Sequence, residues 1–159
     1  MNKTYERLVA HVNRKQWWHV PPVDPDAYKK RGKFFASTFA EAEFYGRPLD
    51  EPERVSIAKP VVGDEKTIAE ALGVPPQYEG MTLEQIAAHD ARWKKAALKK
   101  GFDAIVLMSV KHFGVWKKTG KIPRSIELNI LNVNESQGGR NDSPTAIRPG
   151  SEERRPAQD

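Results

Sequence analysis

Gly32-Lys33-Phe34-Phe35-Ala36-Ser37-Thr38 is the stretch that decides how the rest of this chain reads. Lys33 to Ala36 reads as a short strand rich in aromatics, a side-chain type that suits a pleated, half-buried surface. Thr38 followed by Glu41 has the spacing of a capping box, in which a hydroxyl and a carboxylate satisfy orphan amides at a helix start. A helix over about 39–45 follows and stops at Gly46 and Pro48. Phe34, Phe35, Phe39, Phe44 and Tyr45 fall within twelve residues of one another. Aromatics at a strand end and on the next helix either fill a core or sandwich a flat ring. Tyr45 is the best candidate for the second role, because its hydroxyl prefers a wet or liganded place.

Working outward, Tyr5, Leu8, Val9 and Val12 repeat at helical spacing and predict a helix over about 3–15. Trp17-Trp18-His19-Val20 reads as a short strand halted by Pro21-Pro22, and 27–31 as one helical turn. A strand is expected over 54–58, and Asp64 caps a helix of about 65–72. Thr82 and Gln85 form a second capping box. It opens the longest helix, about 83–100, with Leu83, Ile86, Ala87, Trp93 and Ala97 as its expected buried face and Gly101 as its stop. Residues 102–108 read as a strand buried on both faces. A Gly- and Lys-rich loop over about 111–123 leads to a last strand, Ser125-Ile126-Glu127-Leu128-Asn129-Ile130.

Strands separated by short helices, without a Gly-rich phosphate loop, predict a compact α+β domain over 1–133. From 134 to 159 the chain is rich in Ser, Gly, Pro, Arg and Glu. That composition buries too little apolar surface to offset its ordering entropy, so a flexible, disordered or extended tail is expected. A hydrophobic content of 38% against 30% charged residues suits a soluble protein with a modest core. No apolar run reaches the length of a membrane span, and the first residues lack a signal-peptide core. This sequence has no cysteine, which removes disulfides, thiolate nucleophiles and zinc-thiolate sites and fits a cytoplasmic location. The four histidines show no metal-ligand spacing, so no metal site is expected. The net charge of +5 favours an acidic partner, an acidic protein surface or a nucleic acid, unless it serves solubility alone.

Alternation along the last strand puts Ile126, Leu128 and Ile130 on one face and Glu127, Asn129 and Leu131 on the other. Glu127 is then either a solvated strand glutamate or a carboxylate pointing into a cleft. His19, between apolar neighbours, is either a satisfied half-buried histidine or a hydrogen-bonding group for a ligand.

Together these residues resemble the His–Tyr–Glu branch of the ADP-ribosyltransferases, which includes poly(ADP-ribose) polymerases, diphtheria-type toxins and small phage-encoded transferases. His19 stands in the place of the first-strand histidine, and Phe34-Phe35-Ala36-Ser37 in that of the Tyr-Phe-Ala-Asp-like strand. Tyr45, eleven residues after Phe34, has the spacing of the second stacking tyrosine. Glu127-Leu128-Asn129-Ile130 resembles the catalytic strand, and Gly101-Phe102-Asp103-Ala104-Ile105 after a long helix resembles phage polyvalent transferase domains. The likeness covers about residues 17–133. Two positions depart from the pattern: Val20-Pro21 replaces the small residue and hydroxyl after the histidine, and Phe34 replaces the first tyrosine.

The resemblance implies a split β-sheet core with peripheral helices, and NAD as co-substrate. It assigns Glu127 as the catalytic carboxylate and His19, Phe34, Ser37 and Tyr45 as NAD-binding residues. Glu127 would favour an oxocarbenium-like transition state on the ribose beside nicotinamide. It also implies target binding by the basic segment before Glu127, with Lys117, Lys118, Lys121 and Arg124, and a role as a phage or mobile-element effector acting in a host cytoplasm. The alternative is a non-catalytic nucleic-acid- or protein-binding module, supported by the basic segment and by Trp17, Trp18 and Trp116 as exposed-type aromatics, or an inactive transferase relic. The oligomeric state and the acceptor are not written in the sequence.

Overall fold

The computed structural model describes residues 2–22, 24 and 26–132. The segment 134–159, expected as a tail, lies outside the described residues. The elements are α1 (Lys3–Arg14), β1 (Gln16–His19), α2 (Ala27–Arg31), β2 (Lys33–Ala36), α3 (Phe39–Glu43) and β3 (Glu53–Arg54), followed by β4 (Pro60–Gly63), α4 (Glu65–Leu72), α5 (Leu83–Lys99), β5 (Ala104–Leu107), α6 (Val110–Thr119) and β6 (Glu127–Ile130). The fold is mixed α+β. Among the described residues, six strands form one open sheet in the order β3-β1-β2-β6-β5-β4. In that sheet β4 and β5 run parallel, joined through α4 and α5, and the other neighbours pair antiparallel.

Strand β6, last of these elements, inserts between β2 and β5 at the middle of the sheet. Its register sets Glu127 beside Ala36 on one neighbour and Leu107 on the other. Helices α1 and α6 cover one face, where Leu8, Val12, Trp17, Phe35, Val106, Phe113, Trp116 and Leu128 form a common core. Helices α4 and α5 cover the other, where Ile68, Leu72, Trp93 and Ala97 pack on Val61, Ile105 and Leu131. Each fully buried large side chain contributes roughly 1.5–3 kcal/mol of transfer free energy. The alternation expected for β6 is present: Leu128 enters the first core and Leu131 the second.

The caps stand at the expected positions, with the hydroxyl half of the expected box at Thr38 and both halves at Thr82. Thr38 Oγ1 accepts from the Glu41 amide at 3.1 Å, and Asp64 Oδ1 from the Thr67 amide at 2.8 Å. The Thr82–Gln85 box is reciprocal, with 3.1 and 2.8 Å contacts.

Four expectations are corrected. The strand over 54–58 is only two residues long, because side chains capture the backbone beyond it. Asn13 bonds both the N–H and the C=O of Ile57, at 2.8 and 3.0 Å. Asp103 accepts from the amides of Ala58 and Lys59 at 2.7 and 2.9 Å. The segment over 111–123 is largely helical: Ser109 accepts from the His112 amide at 3.1 Å to start α6, and Phe113 and Trp116, three apart, anchor it in the core. Leu83 is exposed, because the buried stripe of α5 runs through His89, Trp93 and Ala97 instead. Trp17 and Trp116 are buried core residues, so of the three tryptophans expected to be exposed-type only Trp18 is half-buried.

Candidate functional site

A cleft of about 510 Å³ opens on the α5 side of the sheet. Trp18, Phe34, Ala36, Glu127 and Asn129 line its floor, and residues of α2, α4 and α5 line its walls. The floor follows from register: Ala36 pairs with both Trp18 and Glu127, and Phe34 with Asn129, so these side chains share one face.

Glu127 occupies the first position of β6 and is half-buried. Burial pushes its carboxyl above the usual range, and the nearby carboxylates of Asp90 and Glu65 push the same way. The Tyr45 hydroxyl, donating to Glu127 Oε2 at 3.0 Å, opposes them. Tyr45 follows α3, and its own hydroxyl is held protonated by burial and by the Glu127 charge. The pair spans 82 residues of sequence and joins the α3 segment to β6.

Ser37 does not line the cleft. It is buried, and its Oγ both donates to the Ile126 carbonyl at 3.1 Å and accepts from the Ile126 amide at 2.9 Å. It therefore pins the end of β2 to the residue before Glu127, a positioning role rather than a ligand contact.

His19 lines the cleft but both of its ring nitrogens are engaged within the protein. Nδ1 lies 2.8 Å from the Phe34 carbonyl, which only accepts, so Nδ1 carries the proton. Nε2 then accepts from the Tyr28 hydroxyl at 2.8 Å. Burial and, secondarily, Lys33 push the ring pKa down to about 3, against the pull of the Phe34 bond. His19 is thus a neutral buried group that orients Tyr28, which also lines the cleft. Tyr28 carries no local sequence signal; only the fold brings α2 onto β1.

Phe34 has the Arg31 guanidinium 5.9 Å from its ring centre. Arg31 Nη2 and Nε reach Asp90 Oδ2 of α5 at 2.7 and 3.1 Å, which ties α2 to α5 along one wall. Burial raises the Asp90 carboxyl, and Arg31 acts to lower it. Asn129 Nδ2 donates to the Arg31 carbonyl at 3.0 Å. Gly32 lies beneath Asn129: its φ is +97°, and a Cβ there would stand 2.2 Å from Asn129 Oδ1. The turn into β2 accepts glycine for both reasons.

Lys117 and Lys118 lie on α6, and Lys121 and Arg124 in the connection to β6; all four are exposed. None of them lines the cleft, and α6 packs on the opposite face of the sheet. Among the described residues no group of three or more His, Asp or Glu is placed to hold a metal ion. No described helix is long and apolar enough to cross a membrane.

Of the residues that the sequence nominated, His19, Phe34, Tyr45 and Glu127 therefore meet at the cleft, joined by Tyr28, Arg31, Glu65 and Asp90. No protein-family model, curated protein sequence or solved structure matches this chain.

Proposed function

We propose that this chain is an NAD-dependent mono-ADP-ribosyltransferase acting on a macromolecular target, its expected split core replaced by one open six-stranded sheet among the described residues. The observation that carries the reading is convergence. His19, Phe34, Tyr45 and Glu127, distant in sequence, border one cleft, and the Tyr45 hydroxyl bonds the Glu127 carboxylate.

The residues suit the co-substrate. Phe34, Tyr45 and Trp18 offer aromatic surface to a flat cationic ring. Glu127 offers an acceptor to a ribose hydroxyl and negative charge where positive charge develops on the sugar. The Tyr45 bond and the Ser37 latch hold that carboxylate in one place, which limits reorganisation during reaction. His19 supports the site through Tyr28 rather than by direct contact. Arg31 is the one Lys or Arg among the described residues lining the cleft, and with Nε and Nη2 on Asp90 it would meet a diphosphate through its remaining nitrogen. The likeness to phage-encoded transferases extends the reading to an effector working in a host cytoplasm.

The test is incubation of the purified chain with NAD, reading free nicotinamide and thermal stabilisation together. Nicotinamide release with a raised melting temperature supports the reading. Absence of both, alongside salt-sensitive binding of DNA or RNA, favours a non-catalytic binding module.

A further inference from the structure

Helix α6 carries a glycine in its exposed middle that no contact within the described residues explains. Gly114 has no positive φ, and a Cβ built there would meet nothing within 4 Å. A glycine in a helix interior is destabilising by about 0.5–1 kcal/mol relative to alanine. What it leaves is bare backbone that an outside surface can approach closely. Its neighbours three and four residues away on the helix are Val110, Lys111, Lys117 and Lys118. All four are exposed, Val110 by 74%. A small apolar spot is thus ringed by cations.

The ring continues into a larger basic surface. Between Asp103 and Glu127 the sequence has no Asp or Glu, while Lys111, Lys117, Lys118, Lys121 and Arg124 are all exposed. None of the five forms an ion pair among the described residues. Lys117 is partly engaged. Its ammonium lies 5.3 Å from the Phe113 ring centre, and the Asp64 carboxyl, lowered first by its bonds from Thr67, is lowered further by Lys117. Helix α1 extends the surface. A Cβ on Gly120 would stand 3.3 Å from Arg7 Nη2, so Arg7 lies beside the end of α6. Lys3 and Arg7 are exposed about one turn apart, and Glu6 is the one acid of α1. The large apolar side chains of this layer turn inward: Phe113 and Trp116 are buried with Leu8 and Val12, and no exposed aromatic stands on α1 or α6.

We propose that the α1–α6 face docks the phosphate backbone of a nucleic-acid duplex, seated over Val110 and Gly114 and held by Lys111, Lys118 and Lys121, with Arg7 beside the helix end. The inference does not rest on the transferase reading. Charge complementarity and the missing anchors choose the partner. A single strand is held by stacking on aromatics, which this face does not expose. Protein interfaces centre on aromatic anchors and are depleted in lysine. Helices that lie on membranes insert Trp, Phe or Leu, whereas the exposed apolar residues of α6 are Val110 and Val115. A duplex asks for little more than a row of cations, because it carries one charge per about 1.7 Å of its axis. Lys111 and Lys118, seven residues apart, span about 10 Å of such a charge ladder. Docked this way, the cleft stays open on the other side of the sheet.

The experiment titrates the full chain, without NAD, against fluorescent DNA and RNA duplexes of about 20 base pairs and arbitrary sequence, from about 50 to 200 mM salt. Binding of either supports the proposal, and the tighter one names the nucleic acid. The expected slope of log affinity on log salt is about −3 to −5, near 0.9 per phosphate neutralised. Lys111→Glu with Lys121→Glu is expected to weaken binding at least about tenfold and to flatten that slope by about 2. Lys95→Glu with Lys99→Glu, at exposed positions of α5 across the sheet, changes the net charge equally and is expected to stay within about threefold. Gly114→Leu is expected to melt no lower than the parent, because leucine is the better helix former, yet to bind at least about threefold more weakly. Equal losses from the two double variants overturn the proposal, since net charge alone would then account for binding. So do full affinity in Gly114→Leu, tighter binding to a single strand of the same length, to polyglutamate or to anionic lipid vesicles, and no duplex binding at the lowest salt. Nicotinamide release is a separate readout, so this proposal and the transferase reading can each fail alone.

Discussion

The cleft and the basic segment on the opposite side of the sheet differ in charge. On the α6 side, Lys111, Lys117, Lys118, Lys121 and Arg124 are exposed around a core of aromatics and aliphatics. On the α5 side, three carboxylates and one paired arginine border an aromatic cleft. The net charge of +5 does not describe the lining of the cleft. A global charge therefore says little about a site that the fold lines from scattered positions. The contrast also separates two regions that the sequence alone joins, because a basic segment just before Glu127 in the chain need not face where Glu127 points.

The sharpest way to break this contrast is to disturb the device that fixes Glu127 on its face. Gly32→Ala puts a Cβ against Asn129 Oδ1 at a positive φ, and is expected to cost roughly 2–4 kcal/mol in urea unfolding. A loss below about 0.5 kcal/mol would mean that the β2 entry and Asn129 separate easily. Ser37→Ala removes the two-way bond to Ile126, and a loss of about 1–3 kcal/mol is expected, with a fall in nicotinamide release as Glu127 loosens.

Next come the two buried titrations, which pull in opposite directions. His19 sits near pKa 3 when folded, against about 6.5 when unfolded. The unfolded chain therefore takes up that proton first, and stability falls as pH drops below about 6.5, by at most about 1.4 kcal/mol per pH unit from this group. His19→Asn is expected to flatten the stability–pH slope between those limits, and an unchanged slope would contradict the buried neutral histidine. Glu127 is raised, so its charged form weighs against folding above the unfolded carboxylate range. Glu127→Gln should therefore melt higher than the parent at pH 7, and this advantage should vanish near pH 4. The smallest effect is expected on the far face. Lys117→Glu with Lys118→Glu should leave the rate of nicotinamide release within about twofold, because neither residue lines the cleft. A large loss would tie the two faces together.

Much of the fold was legible because its signals are local. Thr38, Asp64 and the Thr82–Gln85 pair mark helix starts by chemistry confined to four residues. Lys33–Ala36 and the alternation through Leu128 and Leu131 mark strands in the same way. What was missed depends on partners far away. Strand β4 offers only Val61 and Val62 between Pro60 and Gly63, and it exists because β5 pairs with it across 44 residues. Helix α6 hid behind Gly114 and its lysines, although Ser109, Phe113 and Trp116 carried the signal. At the site, Glu127 and Tyr45 were readable from their surroundings in the chain. Arg31, Glu65 and Asp90 were not, since a charged residue on a helix looks the same whether it faces water or a cleft.

The central claim is that the Glu127 carboxylate acts on the ribose of NAD in this cleft, and nicotinamide release by the parent and by Glu127→Gln, measured side by side, tests it most directly. The account predicts release by the parent and a fall of about 10²–10³-fold in the variant, with NAD still stabilising the variant thermally. Equal release from both proteins would contradict it.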